Sequence, residues 1–408
     1  MRTWVLCATL AAVTLPRSAG AQSLPLTESE ALARLSADSP RVRAIRAAVE
    51  FARADVLAAG RWPNPRVTVD RESAAGTAEY LTMVGQPLPI SGQREMQIRA
   101  ASALVDASVG RADDELRRAR ADLRLAFAQL VAAQLREQAL TAARDRLRDV
   151  AGVLARREAA GDAAGFDRLR ADREVLDIDA DRAIATSERA RAQAAVAAFF
   201  GDPIDPSRIV ASVGAPSPAT LPAVDDLVGR AEATRGDLLA LLKEVEAAQW
   251  SARAADRRRV PEPEIVAGTK SSSAGGGSIG SVFSVQAAIP VLDHGRPERA
   301  LAQAHARQAD ARAAAFRLAL RAEIAGLHAA ILERRQAAER YRAAIVTSAD
   351  QIERIAQVSY DAGERSILEL LDAYRTGATA RVRQAALDAA VREAEIELEF
   401  VSGWEIKP

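Results

Sequence analysis

Residues 85–95 read GQPLPISGQRE and residues 286–298 read QAAIPVLDHGRPE. In both, apolar residues surround a proline, a glycine follows, and a basic residue opens a long stretch rich in alanine and charge. Other landmarks fall into the same frame: Pro63 with Pro261 at an interval of 198, Pro89 with Pro290 at 201, and Gly92 with Gly295 at 203. Ala160-Gly161 matches Ala362-Gly363, Asp167 matches Glu369 and Gly201 matches Gly403, all at 202. The chain is therefore written twice, and each half must fold in a way the other can repeat.

Each half has the same order of parts. Residues 28–60 and 225–257 carry alanine and charge at helical spacing and end near the proline pairs WPNP and VPEP, which stop a helix. Two segments of strand character follow, PRVTVDRE and EYLTMVGQPLP in the first half, EIVAGTK and IGSVFSVQAAIP in the second, joined by AAGTA and SSSAGGGS. This predicts one hairpin at about 62–90 and one at about 261–290. Long helices are then expected over 92–158 and 294–360, with Leu116, Leu123 and Leu130, then Leu140, Leu147 and Leu154 recurring every seven residues. Glycine turns near 161 and 363 return the chain as shorter helices, 165–200 and 366–401. The reading thus divides the chain into a first repeat, 22–201, a proline-rich connection, 202–222, taken as linker or equatorial belt and not core, and a second repeat, 223–408.

A helix of 67 residues is about 100 Å long. The 33-residue helix before each hairpin and the 36-residue return helix together span almost the same length. They are expected to stack end to end beside each long helix as a cylinder wall. Four strands cannot close a barrel, and open edges are not tolerated in lipid. If the hairpins enter a membrane, several chains must pool their strands; a trimer supplies twelve. Pro89 and Gly92, and Pro290 and Gly295, then mark the junctions where a strand leaving the barrel becomes a helix.

Residues 1–21 have one arginine before an apolar run and end in Ala19-Gly20-Ala21, the pattern of a secretory signal peptide with Gln22 as the expected mature start. The only cysteine, Cys7, lies inside it, which leaves no thiol for disulfides, thiolate catalysis or metal ligation. With 55 basic and 55 acidic residues, net charge gives no case for nucleic acid. His294, His305 and His328 do not form a ligand set, and beyond the leader only Met83 and Met96 are available to soft metals. GSIGSVFS opens a strand instead of a helix, so a phosphate-loop reading fails. Asp113 and Asp114 are expected on a solvated coiled-coil face. No enzyme chemistry and no cofactor are expected. An export conduit and a soluble periplasmic coiled-coil scaffold remain; the strands, with Trp62, Tyr80 and Phe283 as candidate interfacial aromatics, leave the choice open.

The duplicated layout, the proline-marked hairpins, the QPLPISGQRE junction and the AG turn followed by an acidic residue resemble the TolC-like outer membrane efflux proteins. The PLP-S-G-QR junction is most similar to the branch serving heavy-metal and related RND-type pumps. The resemblance implies a mainly α fold with a small β part: a homotrimer with a helical α-barrel in the periplasm and a 12-stranded β-barrel in outer-membrane lipid. It implies a passive duct that docks onto a periplasmic adaptor and an inner-membrane pump; type I protein secretion is the alternative within the family. It also places acidic residues at a constricted entrance, here Glu369 and Asp372, with Asp167 in the first half followed by Arg170. Adaptor contacts are expected from Arg157, Asp162, Glu364 and Arg365 beside the turn glycines Gly161 and Gly363.

Overall fold

A computed structural model of the chain describes residues 23–36, 38–74, 76–161, 165–212, 220–292 and 294–404. The leader reading and Asp162 lie outside these residues. The first half runs β1 (Leu24–Leu26), α1 (Glu28–Ala33), α2 (Pro40–Ala59), β2 (Arg66–Ala74), β3 (Thr77–Pro87), α3 (Gln93–Ala159) and α4 (Gly165–Ala197). After β4 (Ile209–Ala211), the second half runs α5 (Val224–Thr234), α6 (Gly236–Asp256), β5 (Pro263–Ser272), β6 (Ser278–Ala287), α7 (Arg296–Tyr341), a π-helical turn over Arg342–Val346, α8 (Thr347–Asp361) and α9 (Ile367–Ser402).

Two segments expected as single helices are each broken in two. Ser39 caps α2, its hydroxyl accepting from the Val42 amide, and Pro40 follows at the first helical position, where its missing N–H costs nothing. In the second half Arg235 leaves the helical region, with φ −76° and ψ 117°, between α5 and α6. Alanine and charge at helical spacing fit both sides of each break, so periodicity alone does not reveal them.

At the hairpin end, α2, α3, α6 and α7 pack side by side in that order; toward the other end the order is α4, α3, α9 and α8. The short helices therefore stack in pairs along the long ones. Each seam between them carries its own core. In the first, Leu26, Ala31, Leu123, Phe127, Leu130, Val196 and Ile209 are buried together. In the second, Leu227, Leu238, Leu320, Ile324, Leu398 and Val401 do the same. The connection 202–222 is thus not merely a belt: Ile209 is fully buried, and β4 pairs in parallel with β1.

Of the heptad leucines, Leu123, Leu130, Leu140, Leu147 and Leu154 are buried in α3. α3 also packs very closely on α6, where a Cβ on Gly110 would meet the Gly236 carbonyl. Asp114 departs from the expected solvated face. Its Oδ1 is buried without a hydrogen-bond partner among the described residues, and Arg235 Nε stands 4.0 Å from it. Burial pushes the Asp114 carboxyl up, and the charge of Asp237 adds to this.

Candidate functional site

The hairpins form one antiparallel sheet in the order β2-β3-β5-β6. Directly opposed residues share a face, so the register sorts the side chains. One face carries Val67, Val69, Tyr80, Val84, Ile265, Ala267, Ile279, Phe283 and Val285, interspersed with threonine, serine and Gln86. The other carries Arg66, Asp70, Glu72, Glu79, Glu264 and Lys270, with Gly85, Gly268 and Gly280 between them. Every charged strand residue except Arg71 lies on this second face, and Arg71 sits over the Tyr80 ring at 5.5 Å. Ion pairs cross the polar face, Lys270 to Glu79 at 2.6 Å and Arg66 to Glu264 at 3.5 Å.

The exposure is the reverse of a water-soluble sheet. Val67 and Val69 are each 66% exposed, Phe283 73% and Ile279 81%. On β3 the residues of the polar face, Leu81, Met83 and Gly85, are the more sheltered ones. In water an apolar patch of this kind is costly; in hydrocarbon it is the required surface. Strands of ten residues are about 33 Å long, and at a tilt of about 40° stand about 25 Å high, the thickness of an outer-membrane apolar band. Alternation along single strands is blurred by serine and threonine; only the register across four strands makes it clear.

The junction prolines and glycines divide the work. Pro89 and Pro290 fall in the irregular segments after β3 and β6, while Gly92 (φ +78°) and Gly295 (φ +66°) begin α3 and α7 in the left-handed region that glycine adopts without strain. At the opposite end, Gly161 (φ +81°) and Gly363 (φ +76°) end the long helical segments. Arg157 Nη1 donates to the Tyr360 hydroxyl at 3.4 Å and lies over its ring, joining the two turns. The amides of Glu364 and Arg365 donate to the Ser359 carbonyl.

Glu369 and Asp372 lie in the first turns of α9, three residues apart and both exposed, while Ile367, Leu370, Leu371 and Tyr374 are buried on the opposite side. Arg365 Nη1 reaches Glu369 at 2.8 Å. Asp372 has no ion pair among the described residues. Asp167 stands at the matching place in α4, half-buried, one turn before the exposed Arg170.

One cluster near this end is not evident from sequence. The Glu353 carboxylate on α8 is 7% exposed and is held by Arg146 of α3 and by Arg381 of α9, the latter at 2.8 Å. Gly377 makes room for it, since a Cβ there would overlap the carboxylate. A buried acid bridged by two guanidiniums ties three helices together. The only local signal is a glycine inside a helix four residues before an arginine.

The second half of the chain, residues 227–403, matches the family model described as outer membrane efflux protein. Over 364 residues the chain is 23% identical to the cobalt-zinc-cadmium resistance protein CzcC of Cupriavidus metallidurans, covering 88% of this chain and 85% of that one. Among solved structures, a membrane protein from Pseudomonas aeruginosa superposes with a TM-score of 0.79 at 20% identity, covering 92% of this chain and 93% of that chain. The outer membrane channel MtrE of Neisseria gonorrhoeae, solved in its open state, superposes with a TM-score of 0.72 at 17% identity, covering 92% and 88%. With a two-faced sheet at one end and paired coiled helices at the other, the chain shares the fold of these outer membrane channels, and its second half resembles the outer membrane efflux proteins.

Proposed function

We propose that three copies assemble into one duct, their hairpins pooled in a 12-stranded barrel and their helices in a periplasmic tunnel whose tip docks on an adaptor and an inner-membrane pump. The observation that carries this reading is the inverted sheet: its apolar face is exposed, on β3, β5 and β6 the residues of the opposite face are the more sheltered ones, and its outer strands β2 and β6 each have only one neighbour among the described residues. Lipid is the solvent that such a face requires, and closure with other copies is what such edges require.

The helices support the same assembly. α4 and α8 lie at the two margins of the lower layer. α4 exposes Phe166, Leu169, Leu176 and Ile184, and α8 exposes Ile352, Ile355 and Val358, each set at helical spacing. These stripes meet when copies stand side by side.

At the tip, Glu369 and Asp372 from each copy form an acidic ring that favours cations, and Asp167 contributes from the first half. The turns carrying Arg157, Gly161, Gly363, Glu364 and Arg365 are the adaptor-facing surface. The likeness to a cobalt-zinc-cadmium resistance protein points to metal cations as the cargo.

Membrane fractionation followed by the mass of the detergent-extracted protein tests the assembly. An outer-membrane species of three chains is expected; a soluble monomer overturns the reading. In a planar bilayer, Glu369→Asn with Asp372→Asn is expected to lower cation over anion selectivity, and unchanged selectivity removes both residues from the entrance.

A further inference from the structure

The chain contains two copies of one hairpin and one complete junction between them, and this fixes how the next chain must be joined. β2 is exposed along all nine residues and β6 along nearly all of its length, whereas β3 and β5, which have neighbours on both sides, are largely sheltered. The open edges are thus the two outer strands.

The duplication supplies a numerical rule. β2 corresponds to β5 at an interval of 198, as Pro63 does to Pro261, and β3 corresponds to β6 at 201, as Pro89 does to Pro290. Within the hairpins the rule holds. Val69 faces Thr82 in the first, and adding 198 and 201 gives Ala267 and Phe283, which face each other in the second.

The junction between the hairpins can be carried forward in the same way. There Val84 of β3 faces Ala267 of β5. Adding 201 to the first gives Val285; subtracting 198 from the second gives Val69. We propose that β6 pairs antiparallel with β2 of a second copy in this one register, with Val285 opposite Val69 of the partner subunit.

The remaining pairs then follow: Ala287 with Val67 of the partner subunit, Ser284 with Asp70 of the partner subunit, and Phe283 with Arg71 of the partner subunit. The backbone bond from the Leu88 amide to the Pro263 carbonyl, 2.8 Å, repeats as a bond from the Ile289 amide to the carbonyl of Pro65 of the partner subunit.

Side-chain chemistry agrees. The register puts apolar Val285 and Ala287 beside apolar valines and polar Ser284 beside an aspartate, so both faces continue unbroken across the joint. It also brings Phe283 to the side of Arg71 away from Tyr80, enclosing the one charge on the apolar face between two rings. A slip of one residue would set every apolar side chain of one copy against the polar face of the next. Slips of two residues keep the faces but break the repeat.

This inference rests on the assembly proposed above, and cysteine cross-linking separates the two. In the full chain with Cys7→Ser, the double variants Val69→Cys/Val285→Cys and Asp70→Cys/Ser284→Cys place thiols at two adjacent opposed pairs. One of the two is of the closer, non-hydrogen-bonded kind that suits a disulfide. They also lie on opposite faces, so a failure of membrane insertion in the lipid-facing variant leaves the other readable. Membranes are oxidised with copper phenanthroline and resolved without reductant.

The expected result is a shift from the mass of one chain to that of three, reversed by reductant. Val67→Cys/Val285→Cys and Arg71→Cys/Val285→Cys, which report the two-residue slips, are expected to remain at one chain. Faster cross-linking of either slip variant overturns the register. So does the absence of cross-linking from all four variants in protein whose detergent mass is three chains, while the trimer stands. A detergent mass of one chain overturns both.

Discussion

The two long helical segments descend from one plan, yet α3 and the α7–α8 segment are held very differently. α3 has neighbours on both sides, α2 and α4 on one and α6 and α9 on the other, and it buries side chains from Ala100 to Leu154 without interruption. α7 stands at the margin of the layer and, among its described residues, buries Ala313, Leu320, Ile324, Ile331 and Ala338. It also gives way to the π turn over Arg342–Val346, where an unbroken helix is expected from sequence. The turn falls between Ala338 and Ala349, where no residue of the segment is buried and packing does not hold the helix to one register. Duplication copies a sequence pattern, but the number of neighbours decides how strictly each copy must keep helical register.

That contrast can be tested by substitution. The largest effect is expected at Leu147, fully buried on α3 between other helices. Leu147→Ala removes packing on both sides and is expected to cost about 2–5 kcal/mol. Ile355→Ala on the margin of α8 leaves the chain nearly as stable and loosens the association between copies. Denaturation in detergent reads the first, and the trimer-to-monomer ratio at falling protein concentration reads the second. Equal losses of chain stability would show that α3 is not the better held segment.

Glycines sharpen the comparison. Gly110 in α3 has the Gly236 carbonyl against it, whereas Gly326 in α7 has open space around the position of a Cβ. Gly110→Ala is expected to destabilise by about 1–3 kcal/mol, by forcing α3 and α6 apart.

The seams differ too. In the first, Glu28 is held by Arg124 at 2.5 Å and Arg392 at 2.9 Å. Burial by itself raises its pKa, but these two guanidiniums outweigh burial and hold the carboxyl below the usual range. A depressed carboxylate stabilises the fold fully above its unfolded pKa and loses that contribution as pH falls through its folded one. Glu28→Gln is therefore expected to lower the melting temperature at neutral pH, with the difference from the parent shrinking below about pH 4. A constant difference at all pH values would show that Glu28 acts through packing alone. In the second seam, Arg235 lies over Phe400 at 4.9 Å and pairs with Asp237 at 2.9 Å.

The smallest effect is expected at Gly326. Gly326→Ala should stabilise by about 0.5–1 kcal/mol, because alanine costs less backbone entropy in a helix. Destabilisation instead would place a neighbouring copy against this face of α7.

Much of the fold is legible in the residues. Proline and glycine act locally, so the hairpin ends, the helix starts at Gly92 and Gly295 and the turns at Gly161 and Gly363 can be read from position and type. The candidate entrance residues Glu369 and Asp372 are legible through resemblance and helical spacing; their exposure is a matter of structure. The pairing of β1 with β4 is not legible, because strands of three residues carry no periodicity and their partners are far apart in the chain. Nor is the burial of Asp114 and Glu353. A carboxylate on a charged helix looks solvated until another helix closes over it.

By itself, then, the sequence determined that the chain is duplicated, where its helices and hairpins turn, and that the halves are chemically similar, because these properties depend on near neighbours and on backbone preferences. Only the tertiary structure decided which face of each element is covered. Amphipathic spacing says that a helix or strand has two faces; it does not say which partner meets them. The inverted exposure of the sheet, the central place of α3 and the acid bridged by two arginines all arise from contacts between residues far apart in the sequence.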